Sequence, residues 1–291
     1  MTRSLRMFAF YLFIAVSFVT VAPAADADYK IAPDLMTKLA DDEQATAPFF
    51  VVFGDRPSLA RAHYMSNRAE RARFVVQALR ETAARSQVGV RGFLSGRRVA
   101  HVPFWVENKI YVKRGSLVLA RALAQRPEVV AILPEVIYSI PRPQVESGAS
   151  TLSLEWGVAR IRADQVWSSY GTRGATLVVA NIDTGVQYDH PALVRQYRGN
   201  TGASYSHAGN WRDPSNICGS AAPCDNNGHG SHTIGTMIGD DGLGNQVGVA
   251  PEAQWIACKG CESSSCSGSA LITCAQWVMD PNGDLSGADQ P

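Results

Sequence analysis

The 291 residues carry almost no net charge, since 27 Lys and Arg against 26 Asp and Glu leave +1. That balance gives no bulk electrostatic attraction to nucleic acid or to an anionic membrane. Cysteine is missing from the first two thirds of the chain; all six fall from Cys218 to Cys274. Beyond Val21 no apolar run is long enough to span a bilayer. Charged residues make up 18% and hydrophobic ones 46%, which suits a globular chain and excludes wholesale disorder. The length leaves room for two domains, or for one and part of another.

The chain opens with basic Met1-Thr2-Arg3-Ser4-Leu5-Arg6, then an apolar core from Met7 to Val21. Two small-x-small cleavage sites follow, Ala22-Pro23-Ala24 and Ala25-Asp26-Ala27. Residues 1–27 therefore read as a signal peptide, and the protein as secreted (extracellular or periplasmic) with no membrane association after cleavage. An uncleaved anchor is the alternative. An even cysteine count behind such a leader points to disulfides. Cys218 and Cys224 bracket a short loop and are expected to pair. Cys258, Cys261, Cys266 and Cys274 allow three connectivities, and the sequence does not choose among them. The competing reading is zinc at Cys258-Lys259-Gly260-Cys261, whose spacing suits a metal, although the spacings onward to Cys266 and Cys274 match no common zinc module.

Residues 28–46 are mixed and polar, and read as a loose start. Pro48-Phe49-Phe50-Val51-Val52-Phe53 reads as a strand closed by Gly54-Asp55. From Ser58 to about Arg85 the residues Met65, Ala69, Ala72, Val76, Leu79 and Ala83 form one helical stripe. Its opposite face carries Arg68, Arg71, Arg73 and Arg80, read as a solvated face because no nucleic-acid motif accompanies it. Strand material at 102–106 and 109–113 leads to a helix, Leu117 to Gln125, capped by Ser116 and stopped by Pro127. A last strand covers Glu128 to Leu133. The order strand, helix, strands, helix, strand suggests a small α+β sandwich. Ile140 to Ser150 is rich in Pro, Gly and Ser and reads as a linker and processing region.

In the second half the apolar run Leu177 to Ile182 reads as a buried strand delivering Asp183 at its C-terminal end, where open α/β sheets place their ligands. Asn227-Gly228-His229-Gly230-Ser231-His232-Thr233-Ile234-Gly235-Thr236 reads as a loop turning into a helix that opens at His229. A carboxylate on a strand end and an imidazole on a helix start are two members of a Ser/His/Asp constellation in the order Asp, His, Ser. An imidazole half-protonated near neutral pH suits a general base, and a carboxylate accepting from its Nδ1–H fixes the tautomer. Asp183 and His229 are the candidate site residues.

These two segments resemble the Asp and His motifs of the subtilisin-like serine proteases, and the Asn before Ile-Asp with Gln187-Tyr188-Asp189-His190-Pro191 after it is similar to the bacillopeptidase F-like branch. The resemblance implies an α/β fold: a parallel-sheet subtilisin-like catalytic domain, incomplete here, preceded by a small α+β ferredoxin-like propeptide domain. It divides the chain into signal peptide 1–27, propeptide or inhibitor-like domain 28–143, linker 144–155 and the N-terminal part of a peptidase domain, 156–291. Pro127 to Glu135 is the segment most like the family's propeptide. The implied partners are a protein or peptide substrate and the chain's own propeptide, acting as intramolecular inhibitor and chaperone. The family's Gly-Thr-Ser motif does not occur, so the nucleophile is unassigned and the chain is expected to be an N-terminal fragment inactive by itself.

Other candidates carry less. His232 follows His229 by three residues, and a metal site could join both to a carboxylate such as Asp225, but the helical zinc signature, two His four apart with a Glu between, is absent. The resemblance gives His232 a structural role. Ser231 reads as packing, and Ser267-Gly268-Ser269 as a helix N-cap. No cofactor is required; calcium is possible at Asp240, Asp241 and Asn245, as in the family, while Ala192 stands where relatives often carry an Asp ligand. Two other functions fit the same residues: a catalytically inactive peptide-binding relative, and a binding or inhibitor module whose work is done by residues 48–140.

Overall fold

The computed structural model describes residues 27–141 and 154–284. In the first segment a sheet of four strands, β1 (Ala47–Phe53), β2 (His101–Phe104), β3 (Lys109–Gly115) and β4 (Val129–Pro134), runs in the order β2-β3-β1-β4 with antiparallel neighbours. Helices α2 (Arg68–Gly96) and α3 (Leu117–Ala124) connect β1 to β2 and β3 to β4. This is the expected ferredoxin-like split sandwich. Ser116 caps α3 by accepting from the Leu119 amide, as its sequence implied.

Two expectations change. Residues 28–46 are ordered: a 3-10 turn at Asp28–Lys30 precedes α1 (Pro33–Ala40), with Pro at its first turn and Leu35 and Leu39 in the core. That stripe is a single pair of residues four apart, too short to register as periodic. The long helix starts later and ends later than its stripe suggested. Asn67 accepts from the Glu70 amide and sets the start, and the buried line runs Val76, Ala83, Val90, Leu94. Within it Gln87 is also buried, its amide donating to Phe104 O, Asn108 Oδ1 and Lys109 O.

The second segment holds a parallel sheet, β6 (Val178–Asp183), β7 (Trp211–Arg212) and β8 (Gln254–Lys259), in the order β6-β8-β7. Short helices α4 (Trp156–Arg160) and α5 (Ala163–Tyr170) precede it, and α6 (His229–Ile238) and α7 (Gly268–Met279) pack on it. The six cysteines form Cys218–Cys224, Cys258–Cys274 and Cys261–Cys266. The first is the expected pair. The other two put Cys258 and Cys261 in different bridges, which removes the zinc reading. Among the described residues no helix is long and apolar enough to cross a membrane. The signal peptide through residue 26 and most of the linker, 142–153, lie outside the described residues.

The two segments share an interface that explains why β1 is apolar without a break. Phe49, Val51 and Phe53 face the helices of their own sandwich. Phe50, on the opposite face, packs with Phe104 and with Ile272 of α7. A strand covered on both faces reads as a continuous hydrophobic run. Beyond the sheet, β5 (Ile137–Ser139) pairs antiparallel with β9 (Ser265–Ser267). Glu135 accepts from the Ser269 amide at the start of α7 and from the Tyr111 hydroxyl. At the other end of α7, Arg80 meets the buried Asp280 carboxylate at 2.6 Å, and Gln276 accepts from the Trp105 amide.

Candidate active site

The parallel pairing of β6 with β8 carries Asp183 to the C-terminal edge of the sheet, opposite Lys259. Helix α6 begins beside it, and glycine makes the close approach possible. A Cβ on Gly230 would stand 2.0 Å from the Gly185 carbonyl oxygen, and one on Gly185 would stand 1.9 Å from the Cys224 carbonyl oxygen. Gly185 is also left-handed, with φ of 109°. The first residue of the helix, His229, then places Nδ1 at 2.7 and 2.9 Å from the two Asp183 oxygens. Both side chains are mostly buried, with 25% of the imidazole and 12% of the carboxylate exposed.

The carboxylate is held from other sides. Its Oδ1 accepts from the Thr184 amide at 2.7 Å and its Oδ2 from the Thr233 hydroxyl at 3.1 Å. Thr233 Oγ1 in turn accepts from the buried Asn181 amide, which also donates to the Gly230 carbonyl. Asn181 therefore ties the middle of β6 to the first turn of α6. With both carboxylate oxygens engaged, Asp183 is confined to the orientation that meets the ring.

The helix start has its own anchor. The N-cap residue, Gly228, has no side chain to give. Asp225 supplies the missing acceptor: Oδ1 takes the amides of Asn227 and Gly228 and the Thr184 hydroxyl, and Oδ2 takes the amide and hydroxyl of Ser231. Burial pushes this carboxyl up, but the hydrogen bonds from Gly228, Ser231 and Asn227 outweigh it and hold its pKa below the ordinary value. Thr184 completes the link by accepting from the Gly230 amide.

The structure thus brings Asp183 and His229 together and leaves the other candidates apart. Asp225 caps a helix rather than joining the two histidines at a metal. Ser231 is committed to Asp225 and to the Gln187 amide, so it packs, as expected. His232 is exposed and lines a separate cavity of about 680 Å³ with Val158, His190, Leu193 and Val249, which gives it no buried structural role. Ser267 accepts from the Ala270 amide and is an N-cap. Asp240 meets Arg195 and the Gly242 amide, while Asp241 takes the amides of Leu243 and Asn245. Among the described residues no group of three or more His, Cys, Asp and Glu could hold a metal ion. Sequence reasoning missed Asn181, Thr184 and Thr233, and considered Asp225 only in a metal reading that it set aside. The signal for Asp225 was present, an Asp followed by Asn-Asn-Gly ahead of a helix that lacks an N-cap side chain.

Residues 174–287 match the family model described as "Subtilase family". The chain is 33% identical over 251 residues to Bacillopeptidase F of Bacillus subtilis (strain 168), across 80% of this chain and 17% of that protein. It is 34% identical over 106 residues to the Major intracellular serine protease of the same strain, across 36% of this chain and 30% of that one. Two crystal structures of the epidermin leader peptide processing serine protease of Staphylococcus aureus share the fold, with TM-scores of 0.51 and 0.50 at 16% identity, covering 81% of this chain and 49% and 48% of theirs. The chain spans about a third or less of the length of the first curated relatives it matches.

Proposed function

We propose that this chain, whose residues 174–287 match the subtilase family model, is a subtilase and part of the secreted precursor of a serine endopeptidase. The observation that carries the reading is the Nδ1 contact of His229 with Asp183 at 2.7 Å. Asp183 accepts the Nδ1 proton, so the neutral ring presents Nε2 as the base. When that nitrogen takes the proton of a serine hydroxyl attacking a peptide carbonyl, the adjacent carboxylate stabilises the imidazolium. The proton then passes to the leaving amine. The serine comes from outside the described residues, among which no serine hydroxyl is hydrogen-bonded to the His229 ring. Substrates are proteins or peptides.

Residues 28–143 are read as the propeptide, an intramolecular inhibitor and chaperone. Supporting this are the β5–β9 pairing, the apolar contact of Phe50 and Phe104 with Ile272, and the Glu135 carboxylate set on the first turn of α7. The sequence of residues 1–27 supports export.

The test is hydrolysis of a protein substrate by the whole gene product, together with labelling by a serine-reactive fluorophosphonate. His229→Ala and Asp183→Asn are each expected to abolish measurable turnover. Full activity in both variants overturns the assignment. Residues 1–291 alone are expected to hydrolyse nothing, and turnover by them that vanishes in His229→Ala would overturn that part.

A further inference from the structure

Lys259 ends β8 directly opposite Asp183 and is 1% exposed. A lysine ammonium is strongly hydrated, so burying it costs heavily unless acceptors and countercharges surround it. Both are present. Nζ donates to the Thr184 carbonyl oxygen, on the residue after Asp183, and to Asn226 Oδ1 at 2.7 Å. The residue after Lys259 but one closes the other side, because the Cys261 amide donates to the Asp183 carbonyl at 3.1 Å. The ammonium thus sits beneath the turn that carries the carboxylate. Its acceptor Thr184 belongs to the same network as Asp225, which caps the His229 helix.

We propose that Lys259 is a positioning residue for the Asp183–His229 pair: its buried ammonium clamps the Asp183–Thr184 turn and offsets part of the negative charge gathered around it. The inference rests on the dyad reading given above and extends it to a residue that touches neither the ring nor any substrate.

The charged groups that act on Lys259 are Asp225, Asp213, Glu262 and Asp183. Burial draws the ammonium below the usual lysine range, and these four carboxylates push it back up. Four carboxylates against one buried cation already leave this cluster net negative, and removing the cation makes it more so. Without the cation the Asp183–Thr184 turn loses the group that holds it, so the carboxylate is aimed less firmly at the ring and turnover falls while substrate binding does not. A lysine that served only to fill space would be replaced without that split.

The experiment is steady-state hydrolysis of a protein substrate by the whole gene product. Lys259→Gln keeps a donor and removes the charge; it is expected to lower kcat by about tenfold with KM unchanged. Lys259→Arg keeps the charge and is expected to restore most of that loss. Asp183→Asn is expected to abolish measurable turnover. If Asp183→Asn retains full activity, the dyad reading fails. If Asp183→Asn loses turnover but Lys259→Gln keeps the kcat of the unmutated protein, the lysine inference alone is overturned. In the unmutated chain, the 15N shift of the Lys259 Nζ provides a measurement that needs no variant to fold. An ammonium at pH 7 is expected, and a neutral amine overturns the inference.

Discussion

Asp225 allows a quantitative test of how the site is held. Five donors converge on its carboxylate, three of them the amides of Asn227, Gly228 and Ser231 around the start of α6. Hydrogen bonds to a charged group contribute roughly 1.5–3 kcal/mol each, but water replaces part of what an exposed amide loses. The Asn227 and Gly228 amides lie in exposed residues, while Ser231 and Thr184 do not. Counting only the Ser231 amide and the Thr184 hydroxyl among them, at the lower end, Asp225→Ala removes about 3 kcal/mol from the first turn of α6. Local opening reported by amide hydrogen exchange should then rise on the order of 100-fold at Ser231 and Gly230, with little change in α2. The carboxyl has its pKa below the usual value in the folded protein. Its contribution is therefore fully present above the unfolded value of 3.8 and is lost as pH falls through the lower folded value. Protection at Ser231, corrected for intrinsic exchange, should decline below about pH 4 in the unmutated chain and stay flat in Asp225→Asn. Unchanged protection in Asp225→Ala, or the same acid decline in Asp225→Asn, would refute the assignment of Asp225 as the anchor of the helix.

Gln87→Ala takes the buried amide donor from the Phe104 carbonyl and leaves Asn108 Oδ1 with the Ser86 hydroxyl, and is expected to destabilise the first segment by about 2 kcal/mol, read as a lower thermal midpoint. Arg80→Ala strips the buried Asp280 carboxylate of a partner at the interface, and hydrogen exchange in the last turn of α7 should rise by about tenfold, given that the arginine itself is partly exposed. Ala27 is buried in the first core and its carbonyl accepts from the Lys30 amide, which moves the expected end of the leader from residue 27 back to the first small-x-small site, after Ala24, and keeps the domain whole. Mass spectrometry of the exported protein should therefore find Ala25 at its N-terminus, and a start at Asp28 would contradict the packing argument.

The parts legible in the sequence were those fixed by local chemistry. The strand ending in Asp183, the helix opening at His229 and the caps at Ser116 and Ser267 each follow from residues adjacent in the chain. The pairing of Cys218 with Cys224 belongs with them, six residues apart. What stayed hidden depends on contacts between distant residues. Helix α1 exists because Leu35 and Leu39 find a core built by β1, β4 and α3, and its own eight residues do not announce it. Gln87 reads as an ordinary polar residue on a helix until Phe104 and Asn108 arrive beside it. The Asp240-Asp241 loop looked like a ligand set because its carboxylates are many, yet they are consumed by backbone amides and by Arg195. Asp225 shows the same confusion: an acidic residue near two histidines satisfies a metal pattern and a capping pattern alike, and only the positions of the amides separate them.

The contact between the two segments and the Asp–His pair are mechanically one object. Strand β9, which receives β5, is tied through Cys266 to Cys261, and the Cys261 amide is bonded to the Asp183 carbonyl. Glu262, next in the chain, accepts from the Ser267 amide and hydroxyl, while its own carbonyl takes the side-chain amide of Asn226, the residue that also receives Lys259. A path of covalent and hydrogen bonds thus runs from β9 to the turn that carries the carboxylate, through the Cys261–Cys266 disulfide, the 261–267 loop and the acceptors of the buried ammonium. A segment covering β9 and the carboxylate beside His229 are linked through the 261–267 loop.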